Sequence, residues 1–145
     1  MRKIIISTVV FLTACLSLAG CERERPPTQL SDQRFSGVFV HRVGGGSTAF
    51  SEYHFDETNR ARHIIYVNSS RTSHEIEIQL GTDLRRNQFR YRLRALDGGW
   101  TTWLEWIEFR FSDDGQELRV REAAGIWSTA LQDRSPWTIY AREER

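Results

Sequence analysis

The residues of this sequence that could form a metal, phosphate-binding or catalytic site are its histidines, a glycine-rich segment and its acidic residues. The four histidines, His41, His54, His63 and His74, stand nine to thirteen residues apart, with no cysteine partner and without the tight spacing of a zinc site. They fall on different predicted strands, which favours structural or surface histidines. We therefore expect no metal and no cofactor.

A glycine-rich segment, Gly44-Gly45-Gly46-Ser47-Thr48, superficially resembles a phosphate loop. It lacks the Gly-Lys-Ser/Thr ending, and no predicted helix follows it to hold an anion, so it is expected to be a flexible hairpin loop. No Gly-x-Ser-x-Gly elbow occurs, and the acidic residues alternate with arginines as cross-strand partners would. The sequence therefore predicts a protein that is not an enzyme.

The N-terminus has the three parts of a secretory signal peptide. Arg2 and Lys3 give a positive start, Ile4–Leu18 is mostly apolar, and the small residues Ala19 and Gly20 precede Cys21. The apolar stretch is shorter than the roughly 20 residues that span a bilayer comfortably. We expect residues 1–20 to be removed.

Leu18-Ala19-Gly20-Cys21 resembles the lipobox of bacterial lipoproteins. This resemblance implies that the Cys21 thiol receives a diacylglycerol, that the preceding bond is cut and that the new amino group is acylated. Glu22 follows where an Asp would retain a Gram-negative lipoprotein in the inner membrane, which implies the outer membrane. Two alternatives are an ordinary signal peptide that happens to precede a cysteine and an uncleaved membrane helix.

Charge and cysteine content narrow the function of the mature chain. Removal of residues 1–20 takes away Arg2 and Lys3, two of 20 basic residues, and none of 19 acidic ones, which leaves a net charge of −1. That balance argues against nucleic-acid binding. Because Cys15 leaves with the signal peptide and Cys21 is acylated, no thiol remains for a disulfide, and stability must come from core packing.

The mature chain divides into a tether and one domain. Residues 21–34 alternate charge, contain Pro26 and Pro27 and offer little to bury, so they are expected to be a lipid-anchored flexible tether. Residues 35–145 form one domain in which apolar residues recur every second position, as in Phe89-Arg90-Tyr91-Arg92-Leu93-Arg94-Ala95.

The pattern predicts an all-β fold. Eight strands are expected, at about 35–42, 49–56, 60–68, 74–80, 88–96, 100–111, 116–122 and 136–142. Residues 123–135 stay unassigned between a short helix and a bent strand extension. Short connections favour a single antiparallel up-and-down meander, and closure into an eight-stranded barrel would remove its exposed edges.

Opposite charges suggest how two hairpins are aligned. If Leu80 faces Phe89, then Glu77 faces Arg92 and Glu75 faces Arg94. In the second hairpin, a Ser112–Gly115 loop would place Phe111 opposite Gln116, Arg110 opposite Glu117 and Glu108 opposite Arg119.

The barrel and the segment Phe35-Ser36-Gly37-Val38-Phe39 resemble the lipocalin or calycin group, whose first strand contains Gly-x-Trp. Phe39 stands in place of the Trp, and Arg142 matches the arginine that packs over it from the last strand. The resemblance implies a ligand held in the mouth of the barrel.

Aromatic residues supply candidate binding sites on both faces. The predicted inner face holds Phe39, Tyr53, Phe55, Phe89, Tyr91, Trp103, Phe109 and Trp137, which either fill the barrel or line a ligand site. Glu105 shares this face and would lie opposite Tyr91, so Tyr91, Trp103 and Glu105 are the candidate ligand-binding residues.

On the predicted outer face, Trp106 would neighbour Arg90 and Arg121. Trp and Arg are common in protein-binding hot spots, so these three are the candidate partner-binding residues, although an arginine can also simply cover a surface Trp.

These observations predict an outer-membrane-anchored lipoprotein that faces the periplasm. We expect a non-enzymatic protein-interaction or accessory module of the cell envelope, whose partner is an envelope protein. The alternative is a lipocalin-like carrier or sensor of a small apolar ligand inside the barrel.

Overall fold

The fold is a closed antiparallel barrel of eight strands in meander order, as predicted. The computed structural model describes residues 25–43, 49–123 and 136–144. The strands are β1 Ser36–Arg42, β2 Ala49–Asp56, β3 Arg60–Val67, β4 Ser70–Leu80, β5 Gln88–Leu93, β6 Ile107–Phe111, β7 Glu117–Glu122 and β8 Thr138–Glu143. Cys21, the Gly44–Gly46 loop and nearly all of the unassigned stretch 123–135 lie outside the described residues. Within the described ranges, no helix is long and apolar enough to cross a membrane.

Strand β8 closes the barrel against β1, with Phe39 opposite Arg142. The guanidinium of Arg142 lies 4.6 Å from the centre of the Phe39 ring, the packing that the resemblance to the lipocalin group implies. Arg142 also donates from Nη1 to the carbonyl of Ser36 and from Nε to the carbonyl of Gly115. This one side chain therefore ties the last strand to the first strand and to the β6–β7 turn.

The β4–β5 hairpin has the predicted alignment. Leu80 pairs with Phe89 and Glu77 with Arg92, and the Arg92 guanidinium donates to the Glu77 carboxylate on the outer face. Further along, the Arg94 N–H donates to the carbonyl of Glu75. Complementary charge was therefore a sound guide to this hairpin.

The predicted alignment of the β6–β7 hairpin is wrong by two residues. Phe111 pairs with Leu118 rather than Gln116, Arg110 with Arg119 rather than Glu117, and Glu108 with Arg121 rather than Arg119. The turn explains the shift, because the Ser112 N–H donates to the Glu117 carbonyl, so the loop contains residues 113–116. Gly115 adopts φ +70° in this loop, a conformation that favours glycine.

The predicted strand 100–111 is shorter than expected. Arg94 bridges to Trp100 and Phe89 pairs with Ile107, so six residues, 101–106, lie opposite the four residues 90–93. Two residues are thus inserted without a partner, and regular pairing starts only at Ile107. Because each unpaired residue changes which face the next side chain occupies, this segment does not follow the period of two.

Phenylalanine rings fill one end of the barrel. Phe35 is completely buried and makes edge contacts with Phe55, Phe89, Phe109 and Phe111 at centroid distances of 5.0–5.8 Å. We call this region the closed end. Such ring pairs add about 0.5–1.5 kcal/mol each to the burial of apolar area.

The chain is attached to the barrel before the first strand. Thr28 and Asn59 exchange hydrogen bonds, the Leu30 N–H donates to the Glu57 carbonyl, and Leu30 packs in the core. The predicted tether boundary at residue 34 is therefore too late, because the second half of that segment belongs to the folded domain. A single buried leucine was too weak a signal to be noticed among polar neighbours.

Candidate functional site

The three candidate ligand-binding residues do not share one site. Tyr91 points into the barrel and packs against the core. Trp103 lies on the outside, where the guanidinium groups of Arg90 and Arg92 approach its ring to 5.0 and 4.9 Å. Glu105 is exposed. The inner-face prediction for Trp103 is wrong because the two inserted residues in 101–106 turn it outward.

Trp137 is the second aromatic residue that the inner-face prediction misplaced. Arg121 and Arg110, from the outer faces of β7 and β6, stack on its ring at 4.1 and 5.1 Å. Arg121 also donates from Nε and Nη2 to the two oxygens of Glu108. This forms a small outer cluster, Arg110–Trp137–Arg121.

The other six aromatic residues of that prediction lie inside the barrel. Five are buried and one, Tyr91, is partly buried; the buried five are Phe39, Tyr53, Phe55, Phe89 and Phe109. The alternation of apolar residues was therefore reliable where the strands are regular.

The barrel interior becomes polar away from the closed end. Ser51 and Tyr140 join their hydroxyl groups at 2.7 Å, and the phenols of Tyr53 and Tyr91 are also hydrogen-bonded. Burial raises the pKa of each of the three tyrosines above its usual value. We call Ser51, Tyr53, His63, Tyr91 and Tyr140 the polar end.

His63 is the least satisfied member of the polar end. Its ring stacks on Tyr53 with centroids 4.4 Å apart, and its buried Nε2 has no hydrogen-bond partner among the residues that the structure describes. Burial, with a smaller contribution from His74 on the neighbouring strand, lowers the pKa of His63 to about 4. At neutral pH the imidazole is therefore uncharged and has a free hydrogen-bonding position.

The remaining histidines have separate surroundings. His41 Nδ1 hydrogen-bonds the carbonyl of Ile139, and His54 Nε2 lies 2.6 Å from the Glu52 carboxylate. Among the residues that the structure describes, no three His, Cys, Asp or Glu side chains are grouped as a metal site would require.

The outer face of β5 and the segment 100–106 form the most distinctive surface of the molecule. Three tryptophans lie there at intervals of three residues, Trp100, Trp103 and Trp106, and arginine guanidinium groups approach their rings to between 4.3 and 5.4 Å. The arginines are Arg60, Arg85, Arg90, Arg92 and Arg94. We call these eight residues the arginine–tryptophan ladder.

Two candidate partner-binding residues belong to the ladder. Trp106 is stacked by Arg90 at 4.8 Å, as expected, and also by Arg85 at 4.9 Å. Arg121 is the exception, because it stacks on Trp137 in the outer cluster rather than on Trp106. The prediction thus identified the Trp106 end of the ladder but did not include Trp100 and Trp103.

Side-chain hydrogen bonds hold the ladder arginines in position. Arg90 donates from Nε to Gln79 at 2.8 Å, and Arg85 donates from Nη1 to Gln88 at 2.8 Å. Since a guanidinium has five N–H donors, each of these two keeps donors for an external acceptor. Their stacking on a Trp ring leaves the planar fork fixed, which lowers the entropy lost on binding.

Arg60 occupies one end of the ladder and is almost fully buried. Its guanidinium lies 4.3 Å from the Trp100 ring, and Nη2 donates to the carbonyl of Arg25 at 3.1 Å. The carboxylates of Glu75 and Glu77 are 4.0 and 3.9 Å away, too far for hydrogen bonds. Within the described part of the chain, neither Nε nor Nη1 of Arg60 has a hydrogen-bond partner. The ladder therefore keeps an excess of positive charge beside the N-terminal segment.

Comparison of the chain with protein-family models, curated proteins and solved structures finds no match.

Sequence reasoning missed the ladder for a specific reason. In a regular strand, a spacing of three places successive tryptophans on alternate faces, so Trp103 and Trp106 were assigned to opposite sides. The one available signal was the strict alternation of Arg90, Arg92 and Arg94, since three arginines on one outer face need partners. Across the hairpin, Arg92 is paired with Glu77 and Arg90 with Gln79, and both guanidinium groups also stack on Trp.

Proposed function

We propose that this protein is an outer-membrane lipoprotein, acylated at Cys21 and facing the periplasm, that acts as a non-enzymatic accessory module of the cell envelope. Its contact surface is the arginine–tryptophan ladder, which binds an acidic surface in the envelope. The observation that supports this most is the arrangement of three tryptophans between five arginines on one outer face.

The charge and composition of the ladder suit an acidic binding surface. The carboxylates that contact Arg60 and Arg92, Glu75 and Glu77, are two against the five arginines of the ladder. Arginine and tryptophan give more binding energy per residue than most side chains when water is excluded around them. Large apolar side chains next to the ladder, Leu84, Leu96 and Leu104, are exposed and add area that a binding partner would cover.

A second candidate function is a carrier or sensor of a small ligand, and the polar end favours it. A buried imidazole nitrogen without a partner costs free energy, on the order of 1–3 kcal/mol, that a bound hydrogen-bonding molecule would recover. Native mass spectrometry of the protein would reveal a retained molecule, and His63→Phe should release it. A protein that carries nothing, with or without the substitution, would remove this candidate.

The anchoring half of the proposal is tested at Cys21. Cys21→Ser removes the thiol that would form the thioether, so the precursor should stay uncleaved by the lipoprotein peptidase and unacylated. The intact mass of protein purified from membranes measures both events. Normal processing of the variant, together with normal outer-membrane fractionation, would contradict lipid anchoring.

The surface half of the proposal is tested by thiol protection in cells. Leu84, next to Arg85 of the ladder, is 85% exposed, and Ile139 on β8 is a matched exposed apolar residue at 45%. Leu84→Cys should react with a permeable maleimide several-fold more slowly in intact cells than in purified protein, because the occupant covers it. Ile139→Cys should react equally in both. Equal rates at both positions in both samples would contradict a ladder-centred contact.

A further inference from the structure

We infer that the acidic surface bound by the ladder is the anionic headgroup layer of the membrane that carries the anchor. This inference rests on the proposed function, in which Cys21 is acylated and the ladder is the contact surface. It identifies the binding partner by chemistry: lipid phosphates for the arginines and the headgroup–acyl boundary for the tryptophans and leucines.

The N-terminal segment is attached to the barrel close to the ladder. Hydrogen bonds between Thr28 and Asn59 and the buried side chain of Leu30 fix this segment to the closed end. The carbonyl of Arg25 accepts a hydrogen bond from Arg60, whose guanidinium stacks on Trp100. The guanidinium of Arg60 therefore contacts both Arg25, where the described chain begins, and Trp100, the first tryptophan of the ladder.

The chain between Arg25 and the proposed lipid anchor at Cys21 is short. Arg25 is four residues after Cys21, and four residues span at most about 14 Å when fully extended. The acyl chains of Cys21 therefore enter the bilayer within a short distance of the Trp100 end of the ladder. A tether fixed this close cannot hold the domain far above the headgroups, contrary to the expectation of a free spacer from residue 21 to residue 34.

The ladder, which lies beside the proposed anchor, has side chains that suit a lipid headgroup layer. Tryptophan prefers the boundary between headgroups and acyl chains, and arginine can bury its stem while its charge stays among phosphates. Leu96, fully exposed in the turn after β5, and Leu84, before β5, lie at opposite ends of this strand. Exposed leucines beside half-buried tryptophans and arginines, over the length of one strand, are the composition of a membrane-contacting surface.

The short distance between the ladder and the proposed anchor favours a membrane, rather than a protein, as the partner that the ladder binds. Trp, Arg and Leu would also suit a protein interface, but a domain held about 14 Å from its lipid already has a lipid surface at high local concentration. Basic residues next to an anionic leaflet gain electrostatic attraction without any further partner.

The experiment uses the acylated protein in vesicles and an environment-sensitive dye. With Cys21 acylated, a cysteine introduced at Leu96 can be labelled alone with NBD, and Ile139→Cys provides the control on β8. In vesicles of phosphatidylethanolamine and phosphatidylglycerol, NBD at Leu96 should shift to the blue and be quenched by headgroup-nitroxide lipids. NBD at Ile139 should show neither change.

A charge variant shows whether the ladder causes the contact. Arg85→Glu with Arg90→Glu should lower the ratio of docked to undocked domain about tenfold or more, so that quenching at Leu96 falls to the Ile139 level. The acylated mass of each protein is measured first, which separates failure of anchoring from failure of docking. If acylated protein shows equal, weak quenching at both positions while Leu84→Cys is protected in cells, the ladder binds a protein and the membrane inference is overturned.

Discussion

The inside and the outside of this barrel are both rich in aromatic rings, but the rings have different neighbours. Inside, phenylalanines and tyrosines contact one another, as Phe35 does with four other rings. Outside, each of the four tryptophans within the described residues lies against arginine guanidinium groups.

The two sets of aromatic rings therefore contribute differently to the protein: the inner set to folding stability, the outer set to the orientation of charged groups at the surface. Ring pairs in a closed core gain from the exclusion of water and contribute to the free energy of folding. A tryptophan stacked on arginine at the surface gives only about 0.5–1 kcal/mol, yet it holds a charged group in a fixed orientation. The interior therefore contributes mainly to folding stability, whereas the ladder holds charged groups in fixed orientations at the surface, as the proposed binding role requires.

The largest expected effect tests the interior half of this comparison. Phe35→Ala removes a ring that is fully buried between four others, so the free energy of unfolding should fall by about 3–5 kcal/mol. Denaturant unfolding followed by circular dichroism measures the loss. Phe50→Ala, at a ring that is half exposed, is the matched control and should cost far less. Equal losses would mean that the closed end is not the centre of the core.

A smaller effect is expected at the polar end, and it depends on pH. The unfolded chain protonates His63 near pH 6.5, whereas the folded protein protonates it only near pH 4. The unfolded state therefore binds more protons in this window, and the free energy of unfolding should fall by about 2 kcal/mol from pH 7 to pH 5, and by up to about 3 kcal/mol by pH 4.

Two variants identify the source of that pH dependence. His63→Phe keeps the stacking on Tyr53 and should give a flat stability profile between pH 7 and pH 5, measured by urea unfolding. His54→Gln changes an outer histidine beside Glu52 and should keep the decline. A decline that survives in His63→Phe would place the titrating group elsewhere.

The smallest effect on stability is expected in the ladder. Trp106→Ala removes a half-buried outer ring that stacks on Arg85 and Arg90, so the free energy of unfolding should fall by only about 1 kcal/mol. Thermal unfolding of the purified protein gives this value. A loss as large as that of Phe35→Ala would make the ladder a part of the core and remove the distinction between the two regions.

Most of the fold could be predicted from the sequence because regular strands repeat every two residues. The alternation in 89–95 identified β5, and complementary charge aligned Glu77 with Arg92. The β6–β7 alignment was wrong because the turn at Gly115, rather than charge, sets the pairing: Glu108 faces Arg121, but Arg110 faces another arginine, Arg119.

The candidate site was predictable only in part. Trp106 and Arg90 were found because they follow the alternation, whereas Trp103 was misplaced by the two residues inserted in 101–106. No local pattern marks such an insertion; it reflects the position of the preceding turn, in which the Ala95 N–H donates to the Gly99 carbonyl and Arg94 bridges to Trp100. The contact between Arg60 and Arg25 joins residues 35 positions apart, and nothing in the sequence indicates it.

The most direct test of the account is photo-crosslinking from the ladder in living cells. A benzoylphenylalanine introduced at Leu104, between Trp103 and Trp106 in the chain, should form abundant adducts with whatever the ladder binds, and mass spectrometry should identify phospholipid in them. The same residue at Ile139 on β8 should form few. Protein adducts at Leu104 alone would keep the ladder as the contact surface but change its partner. Adducts at Ile139 with none at Leu104 would contradict the central claim that the arginine–tryptophan ladder is where this protein acts.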